Sequence, residues 1–201
     1  MARIFFIILV INCAQAATAQ FGQNHAIYTT SELNVGNYFG LDLHLNYLYK
    51  ETYSLKVGYS GYIRKPRSQP DDYSSGLGGI VLFGLANPYD QLETFQIAVG
   101  KIYRLRENGY ARINLSFGLG YTIIREPENW QRANGAALSE NYTWNYGSYN
   151  TVSFIVNPKI EFPFSRFYGL TVSPVFQINK DRIYIGIGVG QMIGLLRKRQ
   201  P

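Results

Sequence analysis

Two histidines and one cysteine in 201 residues leave few groups able to do chemistry. His44 stands two residues after Asp42, a spacing that puts both side chains on one face of a strand. Ser54 and Ser60 fall on the following segment, where a neighbouring strand would bring their hydroxyls alongside. A hydroxyl nucleophile, an imidazole base and an orienting carboxylate form the set that ester hydrolysis or acyl transfer needs. A lipid-modifying enzyme using His44 is therefore one reading. The leading reading is no enzyme, because a histidine among interior polar groups ordinarily serves as hydrogen-bonded filler. No catalytic, cofactor-binding or metal-binding residue is assigned, and no cofactor is implied.

A second group of residues points to contact rather than catalysis. Trp130, Tyr142, Trp144 and Tyr146 lie among Asn, Gln and Glu within a polar stretch from Glu126 to Ser148, and Tyr149 follows it directly. Aromatic faces with amide partners can take a glycan or a protein surface, although Trp and Tyr also anchor chains at a membrane interface. Gly186-Ile-Gly-Val-Gly190 is glycine at strand period, with no lysine or helix start after it to cradle a phosphate. Asn114-Leu-Ser116 and Asn141-Tyr-Thr143 match the glycosylation pattern, a motif short enough to arise by chance.

The elements that must carry these residues follow from composition. Seventeen Tyr, 12 Phe and 20 Gly against two Met favour strands and turns, and 46% apolar with 16% charged residues excludes disorder. Arg3 followed by the unbroken apolar run Ile4 to Ile11 and an Ala-rich stretch marks residues 1–19 as a signal peptide cleaved after Ala19. Cys13 falls inside it. The formal net charge of +6 becomes +5 once Arg3 is removed. The basic residues are scattered apart from Arg197-Lys198-Arg199 in a solvated tail, 197–201, so no nucleic-acid partner is implied.

Alternation with period two recurs along the mature chain. From Phe39 to Tyr49, Phe39, Leu41, Leu43, Leu45, Tyr47 and Tyr49 face one way, with Asp42, His44 and Asn46 among those facing the other. The same pattern predicts strands over Tyr53–Arg64, Gly76–Ala86, Thr94–Leu105, Tyr110–Arg125, Tyr149–Phe162, Phe167–Asn179 and Ile183–Leu195. Pro66 to Ser75 reads as a loop, Asn108-Gly109 as a tight type I′ turn, and Gln20 to Tyr38 as a lead-in or a short extra strand.

Three features turn these strands inside out relative to a soluble barrel. They exceed the five or six residues usual for strands and are long enough for the roughly nine to eleven that cross a bilayer. Glycine gathers on the polar face, where it would weaken a solvated sheet but suits a narrow, side-chain-filled lumen. That face also carries both Asp42 and Glu161 and Lys56, Arg64, Arg104, Arg112 and Lys159, which can pair when enclosed together. The expected fold is all-β: an eight-stranded antiparallel up-and-down transmembrane β-barrel over residues 39–196. Lys101 dissents by falling on the apolar face, and Pro158 and Pro174 call for bulges.

With its signal peptide, eight amphipathic strands over Phe39 to Leu195 and one long loop, the chain resembles the small outer-membrane β-barrels of Gram-negative bacteria. It departs from them in ending Arg197-Lys198-Arg199-Gln200-Pro201, where such chains commonly end on an aromatic residue. The resemblance implies an outer-membrane location, lipids of that membrane as partners, and a structural or surface-interaction role with a surface glycan or protein partner at the Trp130, Tyr142, Trp144 and Tyr146 loop. It also implies that both termini face the periplasm. Glu126 to Ser148 then points outward but Pro66 to Ser75 inward, unless an additional N-terminal strand reverses the parity. A soluble secreted barrel binding an apolar ligand is the remaining alternative.

Overall fold

In the computed structural model, residues 25–76, 87–105, 111–133 and 140–196 are described. They form a closed barrel of eight antiparallel strands, each paired with its neighbours in sequence and the last with the first. The strands are β1 His25–Gly36, β2 Phe39–Tyr49, β3 Tyr53–Arg64, β4 Asp90–Arg104, β5 Arg112–Arg132, β6 Tyr142–Phe162, β7 Tyr168–Ile178 and β8 Ile183–Leu195.

The eightfold architecture matches the expectation, but a strand before Phe39 joins it and β3 pairs with Asp90–Arg104 rather than with the expected Gly76–Ala86. The lead-in is a strand: His25–Gly36 pairs with β2 on one side and closes the barrel against β8 on the other. Its alternation is masked because its outward positions include Thr29 and Ser31, so no greasy stripe stands out. β3 pairs directly with β4, so the barrel closes without a strand from Gly76–Ala86; apart from Gly76, that expected strand lies outside the described residues. The signal peptide, the basic tail and the Asn108-Gly109 turn lie outside them too.

The polarity is that of the inside-out reading. Leu43, Val57, Val99, Phe117, Val152 and Val189 stand exposed on the outer face, Val99 at 63% and Val189 at 57%. Glu32, Asp42, Lys56, Arg112, Lys159 and Glu161 are buried in the lumen, none more than 4% exposed. Glycine makes room for the larger of them. His44 lies opposite Gly58, whose added Cβ would stand 2.4 Å from the imidazole, and Glu32 lies opposite Gly190, with 2.6 Å to its Cγ. Two apolar plugs close the polar middle. Tyr28, Leu48, Ile102, Met192 and Leu196 pack at the end holding the termini, and Tyr38, Tyr62, Leu92, Ile124 and Tyr184 pack at the other.

The dissenting residues are accommodated without the expected bulges. Val156↔Phe176 and Ile160↔Val172 share one register, which sets Pro158 opposite Pro174. Neither proline has an N–H to give, so the ladder opens there instead of shifting. The Asn157 amide donates to the Pro174 carbonyl at 3.0 Å. The register shift lies elsewhere, between Glu128 and Gln131 in the β5–β6 pair. Lys101 sits three residues from the end of β4, its ammonium 5.4 Å from the Tyr103 ring centroid, where it can reach the interface.

Candidate functional site

The proposed nucleophile, base and carboxylate face the lumen but are not assembled. Neither ring nitrogen of His44 has a hydrogen-bond partner. Asp42 accepts the Tyr62 hydroxyl at 2.6 Å, Ser60 accepts from Gln96 at 2.6 Å, and Ser54 donates to Asn114 at 2.8 Å. Glu32, Asp42 and His44 do converge, with one ligand atom of each within 4.8 Å of the others. Glu32 is already met there by the Lys159 ammonium at 2.5 Å and the Ser173 hydroxyl at 2.5 Å. These donors answer the carboxylates as a resident cation would, and the cluster reads as part of the lumen packing.

Around it the filling is continuous. The Arg112 guanidinium meets Glu161 at 2.6 Å, and the same carboxylate accepts from Tyr28 at 2.7 Å and Asn114 at 3.2 Å. Lys56 donates to Ser116 at 3.0 Å and Asn157 at 2.6 Å. Gln177 donates to Thr94, Thr122 and Ser153 at 2.9, 3.3 and 3.1 Å. Glu32, Asp42 and Glu161 share the lumen with Lys56, Arg112 and Lys159, and an eight-stranded barrel has no width left for an aqueous channel past them.

The aromatic residues lie outside the lumen, half-buried at Trp130, Tyr142 and Trp144 and exposed at Tyr146. The β4–β5 ladder ends at Gln91↔Arg125, but β5 continues to Arg132 and β6 begins at Tyr142, so most of the expected loop is a two-stranded extension. Trp130 lies five residues beyond Arg125, about 16 Å further along the strand at the usual rise. Arg125 and Glu93 pair at 2.6 Å on the outer face and mark where the apolar band gives way. The tryptophans are thus held above the band rather than within it.

Tyr73, from the β3–β4 connection, joins them. It meets Trp130 edge-on at 5.6 Å and Trp144 at 6.1 Å, while Trp130 lies 5.4 Å from Trp144 and 6.3 Å from Tyr142. The Trp130 indole N–H donates to Ser68 at 3.1 Å, and Ser68 donates to the Pro127 carbonyl at 2.7 Å. Asp72 takes Arg132 at 2.7 Å and the Tyr142 hydroxyl at 2.8 Å; that hydrogen bond raises the Tyr142 phenol above its ordinary value. Burial pushes Tyr73 up to about 12. Tyr146 is exposed and accepts from the Tyr89 N–H at 3.4 Å, whereas Tyr149 packs against the apolar plug below.

Trp130, Tyr142 and Trp144 are therefore brought into one cluster, Tyr146 stands at its edge, and Tyr149 does not join them. Sequence reasoning missed Tyr73, Ser68 and Asp72. Their segment reads as a loop, but the parity that sets it against the β5–β6 extension depends on β1.

No protein-family model matches the chain, and no curated protein matches it in sequence. Its fold is similar to solved outer-membrane barrels. Ail, the attachment invasion locus protein of Yersinia pestis, superimposes with a TM-score of 0.51 at 9% identity, covering 86% of this chain and 98% of that one. A major outer membrane protein from Thermus thermophilus gives 0.56 at 12% identity, covering 84% and 99%. The likeness is one of fold.

Proposed function

We propose that the chain is an outer-membrane β-barrel whose lumen is filled and whose β3–β4 and β5–β6 connections form a contact surface outside the cell. One observation carries the reading: the outer wall is an apolar band from Leu33 and Leu43 round to Val152 and Val189, while the charges are enclosed. Water would favour the reverse arrangement, and lipid favours this one. The corrected strand set supports the orientation. With His25–Gly36 in the barrel, the Pro66–Ser75 loop and the β5–β6 extension share one end, opposite both termini. Surface lipids, and a glycan or protein at Trp130, Tyr142, Trp144 and Tyr146, are the partners this reading supplies. One neighbour in fold is named for attachment, which accords with a contact role.

Protease treatment of intact cells tests it. Cleavage is expected in the Pro66–Ser75 loop and beyond Arg132, with the 50–52 and 163–167 turns protected. Recovery of the chain in the soluble periplasm, or cleavage at the latter turns alone, would contradict the assignment.

A further inference from the structure

The end of the barrel that bears the long connections holds a pocket of about 330 Å³ lined by Asn37, Arg64, Arg67, Lys180, Asp181 and Arg182, from three separate connections. Two of its cations are engaged: Arg64 meets Asp90 at 2.8 Å and lies 4.5 Å from the Tyr38 ring centroid, and Arg182 pairs with Glu126. Arg67 and Lys180 are exposed and have no ion pair among the described residues. Arg182 keeps its Nε–H buried without an acceptor. Asp181 is the opposing carboxylate of the pocket, one of its oxygens likewise buried without a donor. Two free cations and an unused guanidinium donor outweigh it, and all three suit an oxyanion.

The surroundings say what carries that oxyanion. Arg67 also lines an adjoining cleft of about 380 Å³ with Ser68 and Pro127, and Ser68 is the acceptor of the Trp130 indole. Glu128, on the same cleft, has its carboxylate over Gly147. A cation pocket therefore opens beside the half-buried cluster of Trp130, Trp144 and Tyr73, a pairing that suits a charged group on a sugar whose ring packs against an aromatic side chain.

We infer that the mouth binds an anionic saccharide, its phosphate, sulfate or carboxylate held by Arg67, Lys180 and Arg182 and its neighbouring ring laid on Trp130 and Trp144. The inference rests on the surface-contact reading and names its ligand class. The source is either a soluble acidic saccharide or the phosphorylated glycolipid of the membrane itself.

The test uses the full barrel in phosphatidylcholine nanodiscs, titrated calorimetrically with tetragalacturonate and, as a neutral control, maltotetraose. Saturable binding of tetragalacturonate alone is expected, weakening with added salt. It should fall at least about tenfold in the Arg67→Ala, Lys180→Ala double variant. Repeating the titration in nanodiscs containing lipid A separates the sources: competition assigns the site to the glycolipid, and an unchanged isotherm assigns it to the free saccharide. Equal binding by wild type and double variant, or no binding of tetragalacturonate by the wild type in phosphatidylcholine nanodiscs, overturns the inference. Heat-modifiable migration of the variant confirms a folded barrel, so a flat titration counts against the cation pocket, while fractionation and cell-surface proteolysis report separately on the underlying reading.

Discussion

The buried pair Arg112–Glu161 shows how much of this molecule depends on single side chains. Glu161 collects a guanidinium, a tyrosine hydroxyl and an amide, and Arg112 also donates to the Leu196 carbonyl at 3.0 Å. Removing one partner strands a charge in a closed lumen. Arg112→Ala is expected to lower the unfolding free energy by about 3–5 kcal/mol, measured by urea titration in detergent micelles. The double change Arg112→Leu, Glu161→Leu, which leaves no orphan, should recover most of that loss. Equal stability of the single variant and wild type would mean that water reaches the pair. Asp42 and His44 are legible in the sequence as lumen residues because two-residue spacing fixes their face. The partners of Glu161 and Glu32 are not, because the bonds cross the barrel: Tyr28 reaches Glu161 over 133 positions and Ser173 reaches Glu32 over 141.

Among the elements, the β2–β3 turn carries visible strain. Lys50 and Glu51 hold φ of 51° and 50°, the left-handed conformation a tight turn requires but neither residue favours. Asn tolerates it better, so Lys50→Asn is expected to raise stability by about 0.5 kcal/mol in the same titration, with no change in migration of the folded form. A loss of stability would show that the Lys50 ammonium, 5.2 Å from the Tyr49 ring centroid, matters more than the backbone. Strand legibility follows lipid. Phe39–Tyr49 and Ile183–Leu195 emerge with their observed bounds because one face meets hydrocarbon and the other the lumen. β5 and β6 are cut short at Arg125 and Tyr149 because beyond the apolar band both faces meet water and the alternation loses its contrast. Pro127, Asn129 with its φ of 56°, and the register shift beside it obscure the extension further.

At the scale of the whole molecule, one assignment governs the rest: the apolar side chains look out to lipid and the polar ones fill a closed centre. The sequence shows this through glycine on the charged face, and the register explains it, since large lumen groups lie across from glycine at His44–Gly58 and Glu32–Gly190. The orientation of the ends is not legible without β1, whose outward Thr29 and Ser31 mute the pattern. The most direct test is spin labelling of the barrel in bilayers at single introduced cysteines; Cys13, the native one, belongs to the expected signal peptide. Labels at Leu43, Val57, Val99 and Val189 are predicted to collide freely with lipid-dissolved oxygen and hardly at all with a water-soluble nickel chelate, while labels at Ser116 and Thr122 are shielded from both. Outer-wall labels that collide with the nickel chelate along the length of the strand, or that are as shielded as Thr122, would contradict the account.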